Sequence, residues 1–165
     1  MNKMNSKKKN VEQQSAPTFT VKEYNSVAMN ASLRAIVLTL ADFVIKPEYF
    51  STEEAKREFS YGGDMSEFSF NSDIGVAQGT YNWTVLVKCG RRVLLKANAT
   101  YVTLYDSLHG RSRDAVEVFL GTVGQIATYP YFRNRVSQLS WEANANLPLL
   151  PSQSFDPNHQ RQDID

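Results

Sequence analysis

The side chains that most often carry chemistry are scarce in this chain. It has two histidines, His109 and His159, and one cysteine, Cys89, among 165 residues. A zinc site needs several closely spaced Cys, His or carboxylate ligands, and no stretch of the sequence offers that spacing. A cysteine nucleophile needs a histidine base, and no credible Cys–His pair is present. Asp106, Ser107 and His109 are the residue types of a hydrolytic triad. Three such groups so close together in one loop seldom reach the base-to-nucleophile geometry that a triad requires. No G-x-S-x-G, P-loop or H-E-x-x-H pattern occurs. The expectation is a protein that is not an enzyme, with no catalytic residues, no metal and no cofactor.

Weaker motifs have ordinary explanations. Gly121-Thr-Val-Gly124 has the form of the GXXG loop of an RNA-binding KH domain, but it sits in an apolar helical stretch without basic flanks. Close helix packing explains it better. Arg91, Arg92, Arg111 and Arg113 could form a basic patch, yet the formal net charge is only +1, so no nucleic-acid partner is expected. Asn30, Asn82 and Asn98 begin N-x-[ST] triplets, the latter two inside predicted strands, where a glycan would not fit.

The elements that must position any site emerge from hydropathy period. Residues 1–17 are polar and lysine-rich, with Lys3 and Lys7 to Lys9, and read as a disordered tail closed by Pro17. A signal peptide needs an apolar run after the lysines, and Asn10 to Ser15 is polar. No stretch approaches the roughly 18 apolar residues of a membrane span. With one cysteine, no internal disulfide is possible, which suits the cytoplasm. Residues 18–151 read as one domain, and 152–165 as a second disordered tail.

Within that domain, residues 24–29 form a short strand or loose helix. Leu33 to Lys46 is a strand with apolar residues on both faces: Ile36, Leu38 and Leu40 on one, Ala35, Val37 and Ala41 on the other. Residues 48–66 form a long connection with a short helix over Ser51 to Phe59 and a turn at Gly62-Gly63. Glu67 to Val76 and Tyr81 to Cys89 alternate as strands, and Arg92 to Tyr105 completes a hairpin across Gly90-Arg91. Asp114 and Glu117 suggest a capping box, after which Val116, Phe119, Leu120, Val123 and Ala127 recur at helical spacing. Pro130 is expected to kink or interrupt this helix.

The predicted fold is therefore α+β: a four-stranded antiparallel sheet followed by a long kinked helix on one face. One helix cannot cover both faces of such a sheet. The doubly apolar first strand and the small pair Gly121 and Gly124 point to other subunits completing the burial. Eight tyrosines and nine phenylalanines exceed what one small sheet buries. Those in the 48–66 connection are candidates for an apolar interaction surface.

Tyr129-Pro130-Tyr131-Phe132-Arg133 resembles the aromatic-Pro-Tyr-x-Arg motif midway along the long helix of SecB export chaperones. Asn146-Leu-Pro-Leu-Leu-Pro151-Ser-Gln-Ser-Phe155 resembles the Pro-x-Leu stretch that follows that helix in the family. The order of four strands, a crossover between the first two, a hairpin and a helix agrees as well. The resemblance covers roughly residues 30–155.

This resemblance implies a tetramer, a dimer of dimers with the long helices at its interface, that holds extended non-native segments in apolar grooves beside the crossover. Carried over by region, the groove residues are Tyr49, Phe50, Phe59, Tyr61 and Met65. Phe68, Trp83, Leu147, Leu149 and Leu150 complete its walls. The client would be an unfolded protein or an antitoxin, since SecB-like proteins also serve toxin–antitoxin systems. The final helix of the family is missing, because Asp156 to Asp165 is short, polar and interrupted by Pro157. The open sheet face offers Glu67 and Asp73 but no acidic cluster, which argues against engagement of the SecA export motor. An ATP-independent holdase leads; an adaptor of the same fold that binds one dedicated protein is the alternative.

Overall fold

The computed structural model describes residues 19–152. The expected tails, and His159 with them, lie outside the described residues apart from Ser152. Helix α1, Val21–Asn30, opens on a capping box. The Thr20 hydroxyl accepts from the Glu23 amide (3.3 Å), and the Glu23 carboxylate accepts from the Thr20 amide (2.6 Å). That amide bond, with one from the Thr20 hydroxyl, holds the Glu23 carboxyl below its ordinary pKa. The Thr-x-x-Glu signature thus decides for helix where the apolar pattern leaves strand or helix open.

Four long antiparallel strands follow: β1 Ser32–Ile45, β2 Glu58–Asn71, β3 Val76–Cys89 and β4 Arg92–Asp106. Their order across the sheet is β1-β4-β3-β2, so β1 and β2 are both edges. β2 begins well before the expected Glu67 and ends at Asn71. The expected strand 67–76 is divided because Asn71 accepts the amides of Asp73 (3.0 Å) and Ile74 (3.3 Å), closing a turn that ends at Gly75 with φ +62°.

Gly62 and Gly63 do not turn the chain; they lie inside β2. Gly63 stands opposite Trp83, and a Cβ at this position would overlap the indole ring. Its missing side chain is a packing requirement.

Two edge strands change phase along their length. In β2 an irregularity at Ser66 moves the helix-side face from Phe59, Tyr61, Gly63 and Met65 to Phe68 and Phe70. In β1 irregularities at Arg34 and Thr39 do the same. Leu40 therefore pairs with Thr100 on the open face, with Ala35 and Val37, while Ala41 joins Ile36 and Leu38 on the helix side. Strict alternation assigned Leu40 and Ala41 to the wrong faces because it counted through the bulge.

The long helix comprises α3 (Arg113–Phe119), a π turn (Leu120–Gly124) and α4 (Gln125–Glu142). Its N-cap is Ser112 in an extended conformation, with no side-chain cap bond, so the expected Asp114 box does not form. Asp114 lies in the first turn, where a carboxylate suits the positive helix end. Pro130 does not interrupt α4, which runs through it to Glu142. The irregularity lies upstream, in the π turn just before the Ile126 carbonyl that the proline ring crowds.

The helix packs on the odd-numbered face of β3. Tyr81 is fully buried beneath it, and its hydroxyl donates to the Leu120 carbonyl (2.8 Å). Burial pushes Tyr81 up to about 12, opposed by the Thr103 side chain and helped to a lesser degree by the nearby Tyr105 phenol. Gly124 sits directly over the Tyr81 hydroxyl, where a Cβ would overlap it. Trp83 donates its indole N–H to the Thr128 hydroxyl (3.0 Å), which in turn donates to the Gly124 carbonyl (2.9 Å). A buried polar chain thus satisfies the tryptophan inside an apolar core.

Candidate functional site

The crossover from β1 to β2 is compact. After Pro47 it forms α2 (Glu48–Ser51) and a 3₁₀ turn (Glu54–Lys56). No helix spans 51–59, because β2 takes the chain from Glu58. Tyr49 is buried, with the Arg57 guanidinium 4.3 Å above its ring, and Phe50 stands edge-on to it at 5.4 Å. Arg57 is itself fixed by two bonds to the Thr52 carbonyl (3.1 and 2.8 Å). Phe50 is 54% exposed, although it anchors the crossover's aromatic pair.

Aromatic rings continue from the crossover onto the sheet. Phe59 meets Tyr61 at 6.2 Å, Tyr61 meets Tyr129 at 6.5 Å, and Tyr129 meets Trp83 at 5.2 Å. Trp83 stacks in turn on Phe132 at 5.6 Å. This row connects the edge strand, the sheet centre and the long helix.

After α4 the chain leaves regular structure and runs back along the helix as an extended strap, residues 145–152. Asn144 and Asn146 enter it in the left-handed region, with φ +50° and +48°. Ala145 and Leu150 are buried, Leu147 is half-buried, and Leu149 is 76% exposed. The strap is tied by its main chain. Tyr49 Oη donates to the Ala145 carbonyl (2.5 Å), and the Leu147 amide donates to Ser140 Oγ (2.9 Å). Arg133 Nε and Tyr129 Oη donate to the Leu150 and Pro151 carbonyls, each at 2.6 Å. Burial raises the Tyr129 pKa, moving it further from neutrality.

Cavities flank this strap. One of about 350 Å³ lies between the crossover and the strap, lined by Tyr49, Arg57, Phe59, Val87 and Leu147. Another, of about 260 Å³, lies on its helix side against Val136, Ser140 and Trp141. A third, of about 400 Å³, lies at its end between Ile126, Tyr129, Pro130, Arg133 and Ser152.

The ten groove candidates fall into three groups. Tyr49, Trp83 and Leu150 are buried; Phe59, Met65, Phe68 and Leu147 are half-buried; Phe50, Tyr61 and Leu149 are exposed. Phe59, Tyr61 and Met65 belong to β2 rather than to the crossover. Phe68 packs against a second core cluster that includes Phe119 and Leu120 and carries the Arg113 guanidinium over its ring at 4.9 Å. Gly124 faces the sheet of its own chain, and the nearest atom to a Cβ at Gly121 is Met65 Cε at 3.7 Å.

Two features lie outside the ten groove candidates. Tyr129 and Arg133 belong to the quoted motif, yet their role as strap anchors emerges only from the fold. β1 carries a second apolar surface: Leu33, Val37, Leu38, Leu40 and Val44 are each 42–51% exposed, on both faces of a free edge. The doubly apolar pattern of that strand was its signal.

The Asp106 loop makes no triad. Ser107 donates to Asp106 (3.0 Å), Asp106 is bonded to Arg34, and His109 Nδ1 faces the Asp73 carbonyl (3.2 Å) instead of the serine. The Arg34 bond holds the Asp106 carboxyl below the usual range. Among the described residues, no three His, Cys, Asp or Glu side chains cluster as a metal site. No described helix is long and apolar enough to cross a membrane.

No family model matches the sequence, and no curated protein matches it. Among solved structures, the fold is similar to that of the Mycobacterium tuberculosis Rv1957 SecB-like chaperone in complex with a ChAD peptide from the Rv1956 HigA1 antitoxin. The TM-score is 0.64 at 16% identity, over 81% of this chain and 97% of that one. A protein of unknown function from Streptococcus agalactiae matches at a TM-score of 0.34 and 11% identity, over 76% of this chain and 97% of that one. The four-stranded antiparallel sheet followed by a long helix is a SecB-like fold.

Proposed function

We propose that this protein is an ATP-independent holdase that retains extended, non-native polypeptide against the aromatic row beside the crossover. The observation that carries this reading is the aromatic surface beside the crossover: Phe50 and Tyr61 are exposed, and half-buried Phe59 lines a cavity of about 350 Å³. A holdase needs several modest apolar contacts rather than one shaped pocket, because its clients differ in sequence. At about 25 cal/mol per Å² of apolar surface, a few such side chains retain a chain segment without nucleotide. The antitoxin peptide bound by the Mycobacterium tuberculosis neighbour makes an antitoxin segment the first dedicated client to test. General protein export through SecA is the less favoured route.

The free edge and two-sided apolar surface of β1 support assembly as a homo-oligomer, a dimer of dimers by analogy with the SecB family. The lone cysteine, Cys89, suits the cytoplasm. The test pairs light scattering of the purified protein with aggregation of a chemically unfolded, unrelated client. A tetramer that suppresses aggregation near stoichiometry without ATP supports the reading. Binding of an antitoxin peptide with no effect on other clients would identify the dedicated adaptor instead. A protein that does neither is not a holdase.

A further inference from the structure

We infer that the strap, residues 145–152, is a built-in occupant of the client trough that a bound client displaces. This inference rests on the holdase reading above and concerns its regulation. Four observations carry it. First, the four side-chain tethers all reach the strap's main chain: Tyr49 to Ala145, Ser140 to Leu147, Arg133 to Leu150 and Tyr129 to Pro151. Contacts of that kind do not read sequence, and any extended peptide presents the same carbonyls and amides.

Second, Leu147-Pro148-Leu149-Leu150-Pro151 is itself an extended apolar segment, inserted through Leu147 and Leu150 while Leu149 stays in water. Third, cavities lie on both sides of Leu147-Pro148 and at the strap's end beside Ser152. Lifting the strap would join them into one trough from the crossover to the Tyr129–Arg133 turn of α4. Fourth, Asn146, a non-glycine residue within the strap, is held in the left-handed region, so docking works against a backbone cost that release would relieve.

A wall and an occupant make opposite predictions. If the strap is an occupant, apparent client affinity equals the intrinsic affinity reduced by the fraction of molecules with the strap lifted. Leu147→Ala, which weakens a half-buried strap contact, then tightens client binding by roughly tenfold. Met29→Ala, at an exposed position on α1 outside the groove and the strap, leaves it unchanged.

The experiment uses the full chain and a fluorescently labelled, reduced and carboxymethylated protein as a permanently unfolded probe. Affinity is read by anisotropy, and exchange of the Leu147 amide in the wild type is followed with and without saturating probe. Tighter binding by Leu147→Ala together with faster Leu147 exchange on saturation establishes displacement. Equal or weaker binding by a variant with wild-type thermal unfolding overturns it. Slower Leu147 exchange on saturation overturns it without any variant; in either case binding by the wild type leaves the holdase reading standing. Failure of wild type and variant alike to bind refutes the holdase reading, and the strap's displacement with it.

Discussion

Replacing Gly124 by alanine tests the contact between the long helix and the sheet. In a helix interior the change alone stabilises by about 1 kcal/mol, since glycine has more backbone freedom to lose. Here the new methyl group overlaps the hydroxyl and ring of Tyr81, which is fully buried. The ring must shift, breaking its 2.8 Å bond to the Leu120 carbonyl. A buried acceptor left unpaired costs about 1–3 kcal/mol, and forced overpacking costs about 1–3 kcal/mol more. After the propensity gain, the variant is expected to lose about 1–5 kcal/mol. Urea unfolding followed by tryptophan fluorescence reads this as a lower midpoint with unchanged slope. Adding Tyr81→Phe removes the atom nearest the new methyl and should recover part of the loss. A midpoint at or above wild type for Gly124→Ala would refute the described packing. Gly121→Ala is the counterpart: its methyl meets only Met65 Cε at 3.7 Å within the chain. It should leave unfolding unchanged or slightly improved, and a fall in scattering mass would place Gly121 in a contact between subunits.

Further outcomes follow from other parts of the molecule. Phe50→Asp and Tyr61→Asp should each weaken client binding several-fold with unchanged circular dichroism, because both side chains are exposed; unchanged affinity removes them from the site. Leu40→Lys on the open face of the β1 edge should lower the scattering mass while leaving the chain folded, and an unchanged mass excludes that surface from assembly. The raised Tyr81 pKa means that the folded state holds this proton more tightly than the unfolded chain. Its stabilising contribution is complete below pH 10 and is lost as pH rises from 10 towards about 12. Urea midpoints across that interval should fall, and less steeply in Tyr81→Phe; equal slopes would assign the alkaline loss to other groups.

The sheet-forming core was legible because β3 alternates without a break from Tyr81 through Trp83, Val85 and Val87, although its first residues, from Val76, were not. The edge strands were not, because each bulge changes the period by one residue and no local signal marks it. Gly62-Gly63 was misleading for a related reason. A glycine pair reads as a turn, whereas Gly63 is excused a side chain by Trp83 on the neighbouring strand. The turn at 72–75 and the capping box at Thr20 did have local signatures, in Asn71 with Gly75 and in Thr20 with Glu23. Of the candidate site, the aromatic types were legible and their depth was not. Tyr49 and Trp83 are buried by partners distant in sequence, Ala145 and Thr128, which no spacing argument could supply.

On the holdase function proposed above, the bulges of β1 bear on a hazard peculiar to a protein that handles extended chains. A straight, flat edge strand is a template on which any such chain could add itself by backbone pairing and grow into an insoluble fibre. Two irregularities within fourteen residues, at Arg34 and Thr39, twist this edge and break its repeat. A disordered visitor therefore finds no long register to copy. The same bends that confound the reading of β1 from its sequence thus protect the molecule from becoming a seed for its own cargo.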